Sequence, residues 1–275
     1  MVKVILITGA STGIGREAAI LLGKQGHRVY AGARRLERMA DLAERAGGGV
    51  TAVEMDVTKA GDNERVVEQI IRNEGRIDVL INNAGFGLYG PIEDLSIDDA
   101  RYQFEVNLFG LAQLTQLVLP HMRAQGSGRI VNVSSMVGKV FMPLAAWYDA
   151  TKHALEGWSD CLRLETAPFG IQVVLIEPGA IKTEFDDVRM AQLETLPADS
   201  AYRSQIDAFK LLVDAPPDLD RQTPPEVVAR VYAKAATARR PRRRYVTGKY
   251  ARSWMFVRRW LGDGAYELIL RRAYR

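Results

Sequence analysis

A single cysteine, Cys161, stands in a chain of 275 residues. An internal disulfide is therefore excluded, and a cysteine-rich zinc site has no ligands to draw on. Histidine is almost as scarce: His27, His121 and His153 are scattered without metal-ligand spacing, and the chain reads as metal-free. No uninterrupted apolar run approaches the ~20 residues that span a bilayer. The opening Met1-Val2-Lys3-Val4-Ile5-Leu6-Ile7 is too short for a secretory signal. No low-complexity tract and no solenoid-type repeat occurs. These absences point to a cytoplasmic protein. Acidic residues are scarce in one place: from Arg221 onward there are 15 Lys/Arg against 3 Asp/Glu, leaving 22 basic and 30 acidic residues before it. The net charge of +4 thus hides a basic tail on a mildly acidic body.

What is present is a regular alternation of strands and helices. Hydrophobic residues make up 47% and charged residues 25%, ordinary for a soluble domain, and the length suits one α/β domain. Val2 to Ile7 reads as an apolar strand covered on both faces. It runs into Thr8-Gly9-Ala10-Ser11-Thr12-Gly13-Ile14-Gly15, then a helical pattern to Lys24 and a stop at Gly26. A strand, a glycine-rich turn and a helix together aim free N–H groups and a helix dipole at a diphosphate. Here the spacing is Gly-x-x-x-Gly-x-Gly, not the commoner Gly-x-Gly-x-x-Gly. Further strands are expected at Arg28 to Ala33, Val50 to Met55, Ile77 to Ile81, Arg129 to Val133, Ile171 to Ile176 and Tyr245 to Thr247. Helices are expected between them. The expectation is a doubly wound parallel sheet, Rossmann-like, with strand order 3-2-1-4-5-6-7 in a single domain.

Several strand ends carry chemistry. The second strand ends at Ala33-Arg34-Arg35, with no acid to meet a ribose 2′-hydroxyl and with an arginine suited to a 2′-phosphate; this favours NADP(H) over NAD(H). The third ends in Asp56-Val57, where a carboxylate could meet an adenine amino group. The fourth is capped by Asn82-Asn83-Ala84-Gly85, small enough at its end for a cofactor to pass close. A long helix, about Asp98 to Met122, carries Asn107 in its apolar middle, where a polar side chain is either hydrogen-bonded or functional. Ser134 and Ser135 sit at the carboxyl end of the fifth strand, the side on which ligands gather in open parallel sheets.

Thirteen residues after Ser135 comes Tyr148-Asp149-Ala150-Thr151-Lys152. Residues four apart on a helix share a face, so the phenol and the ammonium can point into one site. A phenol of pKa near ~10 is only about 0.1% ionised at neutral pH, and a nearby cation favours its phenolate. Tyr148 is then a proton-transfer group for neutral pH, with Ser135 placed to bond a carbonyl or alcohol oxygen. Spacing alone proves little: Tyr245 and Lys249 repeat it in a basic, glycine-containing stretch.

Taken together, the glycine loop 8–15, Asn82 to Gly85, Asn107, Ser135, Tyr148 with Lys152, and Pro178-Gly179 with Thr183 resemble the classical short-chain dehydrogenases/reductases over about residues 2–250. The resemblance implies hydride transfer between a nicotinamide and an alcohol or ketone, with Asn107, Ser135, Tyr148 and Lys152 as catalytic tetrad. It implies that Lys152 also contacts the nicotinamide ribose and that Asn107 holds a relay water. Cofactor contacts are implied for Gly9, Ser11, Thr12, Gly13, Ile14, Gly15, Arg34, Asp56, Val57, Asn83, Ala84 and Gly85. Pro178, Gly179, Ile181 and Thr183 belong to the carboxamide and diphosphate end. Thr12 stands where NADP-preferring members often have a basic residue, so the coenzyme expectation rests on Arg34. The hydroxysteroid and retinol dehydrogenase-like branch is the nearest in pattern, and a homodimer or homotetramer is the implied assembly.

Between Thr183 and Gln222 the alternation dissolves, and residues 183–222 read as a helical substrate lid containing Phe185, Met190, Leu193, Leu196, Phe209, Leu211 and Leu212. With Phe141, Met142, Leu144 and Trp147 they suggest an apolar pocket for a steroid, retinoid or long-chain carbonyl. Residues 251–275 form a basic amphipathic extension of one or two helices. It packs on the body or a second subunit, the preferred reading, or lies on an anionic membrane surface. No nucleic-acid reader motif accompanies the arginines. Two other functions fit the same residues: a β-ketoacyl reductase whose basic tail holds an acidic carrier, and an NADP(H)-binding regulatory protein without catalysis.

Overall fold

The computed structural model describes residues 1–214 and 222–273; residues 215–221 of the expected lid, the Leu212 side chain and residues 274–275 of the expected C-terminal extension lie outside the described residues. Seven strands form one parallel sheet in the order β3-β2-β1-β4-β5-β6-β7. They are β1 (Val4–Thr8), β2 (Arg28–Ala33), β3 (Val50–Glu54), β4 (Val79–Asn82), β5 (Gly128–Val133), β6 (Ile171–Pro178) and β7 (Arg244–Thr247). The expected order holds. Passing from β3 back across β1 to β4 reverses the winding, and the carboxyl ends of β1 and β4 open a crevice at that point.

Alternation along β1 explains why the sheet is buried on both faces. Ile5 and Ile7 point into one core with α1 (Gly13–Lys24) and α9 (Pro225–Thr237), whereas Val4 and Leu6 point into the other. The second core is closed by α3 (Ala60–Glu74) and α5 (Gly110–Ala124). Ile5, Leu6 and Ile7 are fully buried, each stabilising the fold by about 1.5–3 kcal/mol relative to exposure. Ala18 and Ala19 of α1 share this core with Ala229 and Ala233 of α9, small residues where the two helices pack against each other.

The long helix expected around Asn107 is three pieces in one rod: α4 (Ile97–Phe104), a π turn at Glu105–Phe109, and α5. Ser96 caps its start, its hydroxyl accepting from the Asp99 N–H at 3.0 Å. α2 (Leu42–Arg45) is a single turn, and α6 (Ala146–Thr166) runs from the end of the loop after β5. The stretch after β6 carries two helices, α7 (Glu184–Glu194) and α8 (Arg203–Asp214). α10 (Ala251–Ala273) is two helices broken at Gly262, whose φ of 79° and ψ of 172° leave the helical region. Tyr245 falls in β7 and Lys249 beyond it, so the second Tyr-x-x-x-Lys spacing never shares a helical face.

Candidate active site

The first half of the site is the turn from β1 into α1. Thr12 is the N-cap residue in extended conformation, yet its side chain makes no capping bond, and no acid sits in the first helical turn. The N–H groups of that turn are thus left for an anion. Gly9 adopts φ +67°, and a Cβ there would lie 2.8 Å from the Ala84 Cα, so only glycine permits the close crossing of the two strand ends. Ser11 lies in the turn, while Ile14 leans on the core. Gly15 is buried against Asn83.

Asn83 is spoken for by protein. Its amide nitrogen donates to the Thr8 and Gly9 carbonyls at 2.9 and 3.1 Å, and its Oδ1 accepts from the Tyr232 hydroxyl at 2.9 Å. The Thr8 hydroxyl accepts from the N–H groups of Asn83 and Ala84. This predicted cofactor residue therefore shapes the glycine loop with its side chain. Asp56 is oriented by Thr58, whose N–H and hydroxyl both donate to Oδ1. The Val57 carbonyl takes the Asn63 amide at 2.9 Å. Arg34 projects from the end of β2, exposed, with Nη1 donating to the Tyr102 hydroxyl at 3.2 Å. An uncapped helix end, a glycine cradle and an exposed guanidinium fit a dinucleotide laid across β1, β2 and β4.

The second half lies at the ends of β5 and β6. Ser135 caps the 3₁₀ turn Met136–Gly138, its Oγ accepting from the Val137 N–H at 3.3 Å and facing the Pro178 carbonyl at 3.5 Å. Tyr148 and Lys152 sit on the buried face of α6. Lys152 Nζ donates to the Val133 carbonyl at 2.9 Å and stands 5.7 Å from the centroid of the Tyr148 ring. A Cβ on Gly85 would lie 3.7 Å from Lys152 Nζ and 3.1 Å from Asn107 Oδ1, so the ammonium and Asn107 converge on the strand end beside the glycine loop. All four members of the expected tetrad are buried, and the fold brings them to one place.

Asn107 is held more tightly than expected. Its Oδ1 accepts from the Phe86 N–H at 3.1 Å, and its Nδ2 donates to the Phe86 carbonyl at 2.9 Å and to Thr151 Oγ1 at 3.1 Å. Thr151 is one residue before Lys152, so this amide ties the π turn, the β4 loop and α6 together.

Electrostatics depart from the simple tyrosine–lysine picture. Burial drives the Tyr148 pKa upward, Tyr89 reinforces this, and a hydrogen bond with Ser135 opposes it. Burial also pulls Lys152 down to about 8, against the attraction of Glu156 one helical turn on. In the coenzyme-free chain desolvation outweighs the pairing, because both charged forms lose their water. Tyr148 is held as the neutral phenol.

Pro178 ends β6, and Gly179, Ile181 and Thr183 lead from it to α7. Gly179 N–H donates to the Thr247 carbonyl at 2.8 Å, and Ile181 bridges to Thr223. Thr183 caps α7, its Oγ1 accepting from the Phe185 N–H, while a Cβ on Gly13 would lie 3.3 Å from its methyl group. Glu184 pairs with Arg38 at 2.8 Å. Thr183 and Glu184 thus hold the start of α7 against the glycine loop and against the turn that follows β2.

The sequence placed Phe185 and Phe209 among the expected pocket residues, but Tyr89 and Arg189, which complete the cap over Tyr148, were missed. Tyr89 and Phe185 hold their rings 5.9 and 5.5 Å from the Tyr148 ring, and Phe209 stands 6.0 Å from Tyr89. Arg189 lays its guanidinium over Tyr89 and Phe209 at 5.4 and 5.6 Å and pairs with Asp186 at 2.8 Å. The Asp186–Arg189 spacing signals an ion pair on one helix face, but nothing local points it at Tyr89.

Comparison with known proteins agrees with this geometry. The short chain dehydrogenase family matches residues 3–194. The chain is 41% identical over 187 residues to the 3-ketodihydrosphingosine reductase of Bacteroides thetaiotaomicron, covering 68% of this chain and 67% of the relative. It is 34% identical over 278 residues to YusZ, an uncharacterised oxidoreductase of Bacillus subtilis, with 98% of each covered. A short-chain dehydrogenase structure from Streptomyces avermitilis superposes with a TM-score of 0.81 at 32% identity, covering 98% and 97% of the two chains. At 27% identity stand a serine dehydrogenase complexed with NADP+ (TM-score 0.76; 89% and 94% covered) and a 3-ketoacyl-(acyl-carrier-protein) reductase from Brucella melitensis complexed with NADH (TM-score 0.72; 86% and 91%). An open helix end beside a buried serine, tyrosine and lysine, on this sheet and in this order, makes the chain a member of the short chain dehydrogenase family of oxidoreductases.

Proposed function

We propose that the protein interconverts ketones and secondary alcohols with NADP(H), and that its substrates are lipophilic. The observation carrying this reading is the convergence of Ser135, Tyr148 and Lys152 at the strand ends beside the uncapped turn of α1. Gly9, Ser11, Thr12, Gly13, Ile14 and Gly15 would hold the diphosphate, with Asp56 and Val57 toward the adenine. Ala84, Gly85, Pro178, Gly179, Ile181 and Thr183 would line the nicotinamide end. A nicotinamide coenzyme bound there supplies the two-electron carrier.

The chain's own residues do the proton chemistry. Ser135 donates a hydrogen bond to the substrate oxygen, and Tyr148 gives that oxygen its proton in reduction or removes it in oxidation. Lys152 holds the resulting phenolate by charge and offers an N–H to the coenzyme ribose. Since both polar atoms of the Asn107 side chain are engaged, a relay water would rest on a backbone carbonyl of the π turn instead, where helical hydrogen bonds are displaced. Positioning of the substrate oxygen between two buried donors also excludes competing water.

Arg34, with no acid at position 33, supports the preference for NADP(H); the two 27%-identical structures carry NADP+ and NADH, one each. Phe185, Tyr89, Phe209, Leu193, Leu196 and Val140 supply an apolar wall beside Tyr148, which supports a lipophilic ketone. The name of the Bacteroides relative, a reductase of 3-ketodihydrosphingosine, is of the same kind. The hydroxysteroid and retinol dehydrogenase-like placement and a homodimeric or homotetrameric assembly belong to this proposal. Initial rates with a panel of lipophilic ketones, small polar ketones and 3-ketoacyl thioesters test it, each with NADPH and NADH. A preference for thioesters would favour the β-ketoacyl reading, which the Brucella structure's name keeps in view. Tyr148→Phe is expected to abolish turnover, by 10²-fold or more on the order expected of a lost acid–base group, while NADPH binding by fluorescence is retained. Undiminished turnover in that variant would strip Tyr148 of its proton-transfer role and Lys152 of its part in holding the phenolate.

A further inference from the structure

Helix α10 has two faces. Its inner side closes the cluster around Tyr148: Trp254, Met255, Val257, Tyr266 and Leu270 pack there. Tyr266 donates to the Phe141 carbonyl at 2.9 Å, and its ring lies 5.0 and 5.6 Å from those of Phe141 and Trp254. Arg258 reaches the Lys139 carbonyl at 2.8 Å. Because both halves of the broken helix are docked by this side, the opposite side of each is turned away from the body. On that outer side Phe256, Trp260 and Leu261 are 59%, 68% and 61% exposed, and Leu268 and Ile269 are exposed in the second half. Arg252, Arg259, Arg271 and Arg272 stand among them, exposed as well.

We propose that the outer face of α10 seats the protein on an anionic lipid surface. Large apolar and aromatic side chains interleaved with arginines suit the headgroup boundary, where Trp and Phe enter and guanidinium groups meet phosphate. Phe256 and Trp260, four residues apart, hold their rings 6.3 Å from each other, and Arg259 lies 5.7 Å from the Trp260 ring. The two acids of the helix are already engaged within the chain, Asp263 with Arg258 and Glu267 with Arg271. A two-fold contact with a second copy would set each arginine cluster against its own image without free acids to meet it. An anionic bilayer meets the same arginines with opposite charge, and the acidic residues concentrated in the body orient the molecule helix-down. Resting on the proposed preference for lipophilic substrates, the same helix would bring the cluster at Tyr148 next to a bilayer that dissolves them; the docking itself does not depend on that preference.

The full chain is tested by flotation with phosphatidylcholine vesicles and with vesicles containing about one third phosphatidylglycerol, at low and high salt. Co-flotation with the anionic vesicles is expected, falling in high salt. Each exposed arginine is worth about five-fold in partitioning, so Arg259→Gln with Arg272→Gln should weaken it about 25-fold. Phe256→Gln with Trp260→Gln should abolish it, while melting temperature and turnover of a water-soluble ketone stay at wild-type values. Equal partitioning of wild type and both variants would overturn the proposal. So would absence of flotation combined with a fall in sedimentation coefficient in the Phe256→Gln, Trp260→Gln variant, since that result assigns the face to a second copy. A failure of the substrate panel alone would leave flotation unchanged and so indict only the substrate reading.

Discussion

Lys152 carries the sharpest conflict at the level of single residues. It is buried, it donates to the Val133 carbonyl, and desolvation holds its pKa at about 8 instead of 10.5. Between about pH 8 and 10.5 the unfolded chain binds a proton there that the native chain does not, so stability from this residue rises with pH across that window. Below pH 8 the native state keeps a buried cation at full cost. Lys152→Met removes the cation. Its stability relative to wild type should therefore be most favourable at pH 7 and decline by about 2–3 kcal/mol by pH 10.5, read from urea midpoints at both ends. A flat difference would mean that Lys152 does not titrate in that range. The Tyr148–Lys152 pair was legible as a spacing, because i and i+4 share a helical face wherever the helix lies. Its energetics were not, since burial raises the Tyr148 pKa and rings beside the phenol, Tyr89 and Phe185, lie far from it in the chain.

Among the elements, the rod from Ile97 to Ala124 is the informative one. An apolar helix with one asparagine in its middle was readable; the π turn at Glu105–Phe109 was not. It shifts the helix register by part of a turn, letting Asn107 face the Phe86 backbone while Gly110 presses on the Val57 carbonyl. Asn107→Ala would strip Phe86 N–H of its acceptor and free Thr151, costing about 2–4 kcal/mol for the buried groups left unmet. Turnover should fall with it, through the loosened approach of α6 to the β4 loop, while Thr151→Val leaves the Phe86 bonds and should cost much less in denaturant midpoint. The glycine loop behaves in the opposite way: its spacing, its uncapped helix and its use by anions follow from local backbone rules, so it was visible from the start.

Across the whole molecule, the C-terminal helix completes the body instead of trailing from it. Tyr266 is almost fully buried between Phe141 and Trp254. Tyr266→Ala should cost about 3–5 kcal/mol, as for other large aromatic truncations in a core, and should undock the helix from the pocket wall. A drop in stability confined to less than about 1 kcal/mol would show that α10 contributes little to the native fold. The basic run Arg239 to Arg244 belongs elsewhere: Arg244 bonds Glu156 and Asp160 on α6 and pairs with Glu177 at 3.2 Å in β6. One charge count in the sequence thus covered two separate structural uses.

The sequence by itself determined the sheet, its strand order and the strand ends at which the glycine loop, Ser135 and the Tyr148–Lys152 pair arise. The elements and strand ends depend on short-range periodicity or on a backbone preference that operates within a few residues, and the strand order follows from the winding rules for alternating strands and helices. Only the tertiary structure decided which side chains close over Tyr148, that Asn107 bonds Phe86 and Thr151, and which side of α10 faces out. Those outcomes come from contacts between segments as much as 125 residues apart, as with Tyr266 and Phe141, whose energies depend on shape and desolvation at the meeting point and leave no local pattern.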